Sequence, residues 1–350
     1  AFRSTRRSTL QRNMGRRRTL HLSTGSLDRL QRNSVKNMHK VLGIDTSNYT
    51  TSAALYTGGE IRQEKQLLPV RKGELGLRQS DAVFHHVQQL PQILERLFHG
   101  AGGEGAIEAV GASARPRDQE DSYMPCFTVG IGTAKAVATA LSVPFFSFSH
   151  QAGHIAAALY SAGKLSFLQE PFLAFHVSGG TTEAVRVTPD REHLFQAEIV
   201  ARSLDLKGGQ AVDRVGGMLG LPFPAGKFLE ELALQSDASF KIRPSMKGAD
   251  CSLSGVENQC RKMLDHGSPR EDVARYCLLS ILAALDGMAS ALQKEYGGLP
   301  MLFAGGVMSN RLIREALTEK YGAVFAEPAF SSDNAAGIAV LTEMKRCGAC

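Results

Sequence analysis

The chain has 350 residues, of which 43% are hydrophobic, and this is enough for about two domains with sizeable apolar cores. No apolar run approaches the ~20 residues that a membrane-spanning helix needs, which argues against a membrane protein. The formal net charge of +6 is uneven, because residues 1–37 carry nine Arg and one Lys against one Asp, a charge of +9. Residues 38–350 therefore carry −3, and they are not composed like a protein that binds nucleic acid unaided.

Residues 1–37 are rich in Arg, Ser and Thr and poor in apolar residues, a composition typical of disorder. We favour a disordered basic tail or a gene-start artefact, because Met38 immediately precedes the first predicted strand. A transit peptide or a nucleic-acid-binding arm has a similar composition, whereas a secretory signal needs an apolar segment that is missing here. The six cysteines include one CxxC pair, Cys347 and Cys350, and this usage favours free thiols in a reducing cytosol.

Strands and helices alternate along the first half of the chain, which predicts an α/β fold. Two strands joined by a polar turn open the pattern, and a third strand follows. Pro91 is expected to bend the first helix. The predicted strands are 41–47, 51–57, 60–68, 107–113 and 144–150, and the predicted helices are 81–97 and 130–141.

The same plan starts again at Pro171, where an apolar strand, a turn rich in Ser, Thr and Gly, and a second strand repeat the opening of the chain. Such a long-period repeat indicates two related halves. We expect domains at 38–170 and 171–330, with a helix in 331–350 that returns to the first. The second half is predicted to contain strands at 171–177, 182–187, 194–202, 300–306 and 323–328, and helices at 209–221, 272–296, 310–322 and 333–346.

The repeated turns suggest a nucleotide cleft between the two halves. Backbone N–H groups of turns rich in Gly and Ser form anion sites, and helix N-termini add positive potential. Three strand ends of the second half contain glycine, at 178–180, 224–226 and 304–306, the last with Gly305 and Gly306. The alternative is that Gly179 and Gly180 only supply a positive φ. In the first turn, Asp45 could hold a cation or polarise a reacting group.

His150 and His154, in the segment HQAGHIAAALY, are four residues apart and share one face if the segment is helical. This spacing suits a metal, although such pairs are often structural. A zinc protease of the HExxH type is disfavoured, because Gln151 replaces the glutamate that acts as general base. Asp333, at the start of the last predicted helix, would complete a His₂Asp set for Fe, Zn or Mn, and its alternative role is to cap that helix.

Seven motifs occur in the order of one family: VLGIDTS, SHQAGHIAA, HVSGGTTE, GGQAVDRVGGMLGLPFPAGK, LSGVEN, FAGGVMSNRLIREAL and SSDNAAGIA. From about Met38 to the last helix the chain resembles the tRNA N6-adenosine threonylcarbamoyltransferases of the TsaD/YgjD/Kae type. The resemblance implies an actin/Hsp70/sugar-kinase-like (ASKHA, ribonuclease H-like) fold, two duplicated α/β domains around a nucleotide cleft. It also implies transfer of threonylcarbamoyl from threonylcarbamoyl-AMP to N6 of the adenosine beside the tRNA anticodon.

The resemblance further implies one divalent metal, Fe or Zn, on His150, His154 and Asp333, and a catalytic role for Asp45. Its implied partners are the adenylate substrate, ATP or threonylcarbamoyl-AMP, and tRNA bound with partner subunits in the cytoplasm, with no membrane involved. The substrate- and nucleotide-binding positions that it implies are His176, Val177, Ser178, Gly179, Gly180, Asp213, Gly226 and Asn310, beside the glycines at 305 and 306.

Several cleft positions depart from the family pattern, which suggests a divergent branch. Residues 113–127 replace a glycine-rich segment, SGGHT has become SGGTT, and Gln210 replaces an acid. The alternatives to an active transferase are a nucleotide-binding paralogue that acts as a scaffold, with a dimer of two paralogues as one arrangement, and an ATPase or phosphotransferase. The phosphotransferase would use Asp45 and Asp213 with Mg²⁺, which the histidine pair disfavours. A metalloprotease ranks last.

Overall fold

The computed structural model describes residues 39–47, 49–69, 77–99, 105–119, 121–331 and 335–348. Three parts of the sequence predictions lie outside these residues: the basic tail 1–37, the third metal ligand Asp333, and Cys350 of the CxxC pair.

The first half is built on a five-stranded mixed sheet of order β3-β2-β1-β4-β5. The first three strands form an antiparallel meander, and β4 and β5 pair parallel to β1. β1, β2 and the middle of β4 are buried, whereas the edge strand β3 has no buried residue. The bounds are β1 Lys40–Ser47, β2 Thr50–Thr57, β3 Glu60–Leu67, β4 Ile107–Arg115 and β5 Phe145–Ser149.

The second half repeats this topology in the order β12-β11-β6-β7-β8. An antiparallel meander of β6, β7 and β8 is again extended by two strands that run parallel to its first strand. The predicted duplication is thus present as two sheets of the same connectivity. The bounds are β6 Phe172–Val177, β7 Thr182–Asp190, β8 Leu194–Arg202, β11 Met301–Ala304 and β12 Val324–Phe325, with a separate hairpin of β9 Ser245–Lys247 and β10 Asp250–Ser252.

Helices cover the outer faces of both sheets and also lie between them. Three short 3-10 turns, at 165–169, 306–309 and 328–330, complete the described elements. The bounds are α1 Gln79–His99, α2 Phe127–Leu141, α3 His150–Ser161, α4 Gly208–Met218, α5 Gly226–Ala233, α6 Ser254–Asp265, α7 Arg270–Tyr296, α8 Arg311–Tyr321 and α9 Ala336–Arg346.

The elements stack in layers around separate cores. α1 and α2 pack on the outer face of the first sheet, and the apolar faces of α4, α6, α7 and α8 pack on the outer face of the second. α3 and α9 lie between the sheets, in a core that residues of both halves share. The helix that carries both histidines is therefore held from both sides.

Two glycine contacts fix the inner layer. A Cβ on Gly43 of β1 would lie 2.4 Å from the backbone nitrogen of Ala339 in α9. A Cβ on Gly337 would lie 1.8 Å from the carbonyl oxygen of Gly153 in α3. Only glycine permits so close an approach of backbones. α9 therefore packs directly on β1 with one face and on α3 with another.

The structure corrects some sequence predictions. Asp45, which we expected in the first turn, belongs to β1, and the turn is short because Ser47 already pairs with Thr50 of β2. The helices α5 and α6 and the β9–β10 hairpin were not predicted. The last helix begins at Ala336 and not at residue 333.

Within the described residues, one helix, α7, is long and apolar enough to cross a membrane. Half of its most apolar window is buried inside the protein. Its apolar side chains, such as Ile281 and Leu285, belong to the core of the second half. We therefore interpret α7 as a core helix.

Candidate active site

The candidate site lies between the halves, where the strands of both sheets end. Side chains alternate along a strand, and Val41, Gly43 and Asp45 of β1 face the inner helices, while Leu42 and Ile44 face the outer core. In β6 the same alternation directs His176 to the inner layer, because Phe172 and Ala174 belong to the shared core. Corresponding strands of the two halves thus supply polar side chains to one site.

His150 is the first residue of α3, and its ring is held by Asp45. Ser149 caps the helix, its hydroxyl accepting a hydrogen bond from the N–H of Ala152. Nδ1 of His150 lies 2.8 Å from Oδ2 of Asp45, whose Oδ1 accepts from the Ser113 hydroxyl at 2.5 Å. Asp45 is 1% exposed and lies behind His150, outside the cleft. Its carboxylate favours the tautomer with the proton on Nδ1, which puts the lone pair on Nε2.

One helical turn later, His154 brings its own Nε2 to 2.9 Å from Nε2 of His150. Nitrogens that share one metal at 2.0–2.1 Å each are about 2.9–3.4 Å apart for angles of about 90–109° at the metal, so this pair can share a metal. The 2.9 Å separation is equally that of an N–H···N hydrogen bond between the two rings. A carboxylate on the outer nitrogen of a ligand histidine is the usual supporting contact in such sites. The ring of His176 lies 5.0 Å from that of His154. The described residues contain no complete set of three acidic, His or Cys ligands, and Asp333 is not among them.

The glycine turn of residues 178–181 faces the histidines from the second half. Its ends are tied by a hydrogen bond from the N–H of Ser178 to the carbonyl of Thr181, at 2.7 Å. The Thr182 hydroxyl accepts from the N–H of Gly208 at 2.8 Å, so the start of α4 is fixed beside the turn. A Cβ on Gly179 or Gly180 would meet nothing within 4 Å, and neither residue has a positive φ. Backbone conformation therefore does not require these glycines, whereas close approach of a ligand would.

Two cavities meet at this turn and share Ser178 and Gly306. The larger, of about 630 Å³, contains the histidines and the open side of the turn. The smaller, of about 390 Å³, lies beside α4 and the strand end at residue 306. Of the predicted residues, the larger is lined by His150, His154, His176, Ser178, Gly180 and Gly306, and the smaller by Ser178, Gly179, Asp213, Gly226, Gly306 and Asn310.

Four predicted residues also have structural partners. Asp213 Oδ1 accepts from the N–H of Ala225 at 2.9 Å, and Asn310 caps α8 through the N–H of Ile313. Val177 is buried, and its carbonyl oxygen would lie 2.3 Å from a Cβ on Gly305, which has φ +104°. Val177 and Gly305 therefore shape the walls of the cleft without lining either cavity.

Two buried groups near Asp45 have strongly shifted pKa values. Burial lowers the pKa of His86 to about 4, although Asp45 opposes the shift, so the imidazole is neutral at pH 7. Burial, assisted by Asp45, raises the pKa of the Cys126 thiol to about 11. A nucleophilic thiolate is therefore disfavoured here.

Comparison with known proteins identifies the family. The family profile described as "TsaD: tRNA N6-adenosine threonylcarbamoyltransferase" matches residues 71–340. The tRNA N6-adenosine threonylcarbamoyltransferase of Halalkalibacterium halodurans is 30% identical over 87% of this chain and 90% of its own length. That of Thermus thermophilus is 31% identical over 86% of this chain and 91% of its own. The chain belongs to this family.

Solved structures confirm the fold class of this threonylcarbamoyltransferase family member. HypF of T. kodakarensis superposes with a TM-score of 0.58 at 13% identity, over 89% of this chain and 48% of HypF. Component A of the Acidaminococcus fermentans (R)-2-hydroxyglutaryl-CoA dehydratase has a TM-score of 0.51 at 16% identity, over 88% and 99%. These neighbours have the actin-like fold of two related α/β halves, which agrees with the repeated topology.

Sequence reasoning missed one charged cluster of this family member. Glu183 of β7 accepts from Nη2 of Arg117 at 2.8 and 3.1 Å and from Nε2 of Gln151 at 3.2 Å. All three line the larger cavity. Arg117 belongs to the segment 113–127, whose departure from the family pattern was visible in the sequence. Its partner is 66 positions away, so no local spacing indicated the pair.

Proposed function

We propose that this protein transfers the threonylcarbamoyl group of threonylcarbamoyl-AMP to N6 of the adenosine adjacent to the tRNA anticodon. The observation that carries this proposal is one cavity in which the histidine pair and the glycine turn face each other. A mixed acyl-phosphate anhydride needs both features: an anion site for its phosphate and an electrophilic site for its carbonyl. Family membership supports the same reaction, because the relatives are named for it.

We propose that His150, His154 and Asp333 hold one divalent metal, iron or zinc. The 2.9 Å separation of the two Nε2 atoms supports two of these ligands. The chain order supports the third, since Asp333 precedes α9 by three residues and the first turn of α9 contacts α3 at Gly153, next to His154. When bound, the metal would supply Lewis-acid chemistry at the carbamoyl carbonyl. Asp45 is then a positioning residue that orients His150.

The AMP part of the donor is assigned to the glycine turn and the smaller cavity. Backbone N–H groups of the turn 178–181 would bind the phosphate, and the start of α4 adds its positive dipole end. The predicted set of His176 to Gly180, Asp213, Gly226, Gly305, Gly306 and Asn310 lines or shapes these two cavities. This turn would stabilise the phosphate as AMP leaves with the electron pair of the broken C–O bond, while N6 forms its bond to the carbonyl carbon and releases a proton to the departing AMP or to water.

The net charge of the folded part of the chain bears on how the tRNA acceptor binds. Residues 38–350 carry −3, so we propose that tRNA binds together with partner subunits. A cytoplasmic location, a dimer with a paralogue and the domain limits at 38–170, 171–330 and 331–350 are parts of the same proposal. The apolar side chains of α7 and of the inner helices are buried in the protein cores, which is in keeping with a protein that needs no membrane.

The proposal is tested by incubating the protein and its partner subunits with threonylcarbamoyl-AMP and unmodified tRNA and measuring the modified nucleoside by mass spectrometry. We expect transfer by the wild type and a loss of at least about 100-fold in His154→Ala, with metal content reduced in parallel. His193→Ala is the matched control, because His193 pairs with Asp190 at the surface and should retain full transfer.

Two outcomes would contradict the assignment. Full transfer by His154→Ala would remove the histidine pair from the reaction. Binding of AMP by the wild type without any transfer, with metal, tRNA and partner subunits supplied, would favour the nucleotide-binding paralogue instead. The departures in residues 113–127 are the observation that keeps this second candidate open.

A further inference from the structure

Arg117 lies in the cleft near the start of a loop whose backbone is fixed there by two hydrogen bonds. The loop follows β4, and the carbonyl of Pro116 accepts a hydrogen bond from the N–H of Gln151, in the first turn of α3, at 3.0 Å. The N–H of Arg117 donates to the hydroxyl of Ser122 at 2.9 Å. The position of this arginine is thus tied to the helix that carries the histidine pair.

Glu183 orients the guanidinium from the opposite half of the protein. Both of its oxygens accept from Nη2 of Arg117, and Oε1 also accepts from Gln151. Glu183 pairs in register with His176 across β6 and β7, so the ion pair lies at the histidine end of the cavity. The side chain of Glu183 is 12% exposed and that of Arg117 is 33% exposed, so the arginine is the partner that reaches the cleft.

The guanidinium has further donors. Arginine carries N–H groups on Nε and Nη1 as well as on Nη2, and in the described part of the chain neither Nε nor Nη1 makes a hydrogen bond. Both forked edges of a guanidinium include Nη2, which Glu183 already engages, so the Nε–H and Nη1–H groups that remain can each donate a single charge-assisted hydrogen bond to a second anion. Arg117 lines the same cavity as both histidines and the glycine turn.

The turn and Arg117 enter the cavity from different elements. The glycine turn 178–181 joins β6 to β7, whereas Arg117 lies on the loop after β4 and is tied through Glu183 to Gln151 of α3. A donor whose phosphate is on the turn and whose carbonyl is at the histidine pair would have its acyl group in the cavity that Arg117 lines. We propose that Arg117 binds the carboxylate of that acyl group, held in place by Glu183 and Gln151. The inference rests on the proposed function and names the feature of the donor that the cleft selects: an acyl group with a free carboxylate.

The test measures binding to the full-length protein by calorimetry, with three probes. They are AMP, a non-hydrolysable sulfamoyl analogue of threonylcarbamoyl-AMP, and the same analogue with its carboxylate replaced by a carboxamide. We expect the wild type to bind the carboxylate analogue about 10- to 100-fold more tightly than the amide, the size of one charge-assisted hydrogen bond. Arg117→Ala should bind the two analogues equally, with its Kd for AMP within about threefold of wild type.

Three further variants separate binding from structure. Arg115→Ala removes an equal charge from the same loop, where Arg115 pairs with Asp118, and it should keep the preference for the carboxylate. Arg117→Lys keeps the charge but loses the planar fork, and we expect it to retain a smaller preference. Glu183→Gln keeps the size of the anchor and should weaken the preference by releasing Arg117. Circular dichroism establishes that each variant is folded.

Several results would overturn the inference. If Arg117→Ala keeps the preference for the carboxylate analogue, Arg117 does not bind it. If Arg117→Ala binds all three probes more weakly by the same factor, the Arg117–Glu183 ion pair only holds the two halves together. Arg117→Lys answers the same question if Arg117→Ala does not fold. If the wild type binds both analogues equally, the inference fails while transfer to tRNA can still stand. If the wild type binds AMP but neither analogue, the donor class is wrong, and the proposed function fails with it.

Discussion

At the scale of single residues, the site depends on carboxylates that orient another side chain by a hydrogen bond to its terminal polar group. Asp45 shows this most clearly. The sequence placed it in a turn, facing the ligand, but the tight β1–β2 hairpin puts it inside the strand, where its carboxylate receives His150 and Ser113. Its contribution is therefore made through His150.

Asp45→Asn should weaken the retention of metal by about 10- to 100-fold, because the amide is a poorer acceptor for the Nδ1–H of His150 than a carboxylate. The measurement is metal content after titration with a competing chelator. Asp190→Asn is the control, since it alters an exposed Asp–His pair with His193. An unchanged metal affinity in Asp45→Asn would show that the orientation of His150 does not need this carboxylate.

The sequence predicted the histidine pair because its partners are four residues apart on one helix. It could not predict the contacts of Asp45 with His150 or of Arg117 with Glu183, which join residues 105 and 66 positions apart. These contacts depend on how the two halves are placed, and a local pattern carries no information about that.

At the scale of elements, α1 is joined to the first sheet by a buried polar network. The Thr51 hydroxyl lies 2.8 Å from Nδ1 of His86 and donates to Gln89 Oε1 at 2.8 Å. The number of buried residues does not decide which helices the sequence revealed. α7 buries eleven residues and was predicted, but α8 was predicted although it buries only two, as the unpredicted α5 and α6 do.

The His86 network predicts a pH dependence of stability. The pKa of His86 is about 4 in the folded protein and near 6.5 when unfolded, so the unfolded state binds more protons between these values. Stability should therefore fall by roughly 2–3 kcal/mol as the pH drops from 6.5 to 4. Urea unfolding at several pH values measures this, and His86→Gln should flatten the dependence. His85→Gln, altered at the neighbouring position, is expected to retain it; equal slopes in wild type and His86→Gln would refute the assignment.

The crossing of α9 over α3 predicts a second effect. Gly337→Ala places a methyl group 1.8 Å from the Gly153 carbonyl, and we expect it to cost at least about 2 kcal/mol of stability and to weaken metal retention, since α3 must shift. Gly217→Ala, in α4 with nothing within 4 Å of the new methyl group, should be neutral or stabilising by about 0.5–1 kcal/mol. Chemical denaturation distinguishes them, and equal stability of the two variants would mean that the helices can separate without cost.

At the scale of the whole molecule, the two halves are related in topology but are not independent in packing. The shared core contains Val41 and Ala109 of the first sheet, Val187 and Leu302 of the second, and the inner helices between them. α9, the last described helix, packs on the first sheet, so the chain crosses the cleft twice. The fold class and the duplication could be predicted from the repeated strand–turn–strand pattern. The shared core could not be predicted, because its residues come from both sheets and the inner helices, and the sequence repeat does not show that these elements are in contact.

This shared core predicts that the protein unfolds as one unit. Differential scanning calorimetry should show a single transition whose calorimetric and van't Hoff enthalpies agree. Val187→Ala, at a fully buried position of the shared core, should lower the midpoint of the whole transition. Val273→Ala, equally buried but in the core of the second half alone, should lower it similarly without splitting it. If Val273→Ala instead separates two transitions, the halves fold independently, and the inner helices contribute to the site without coupling the two halves.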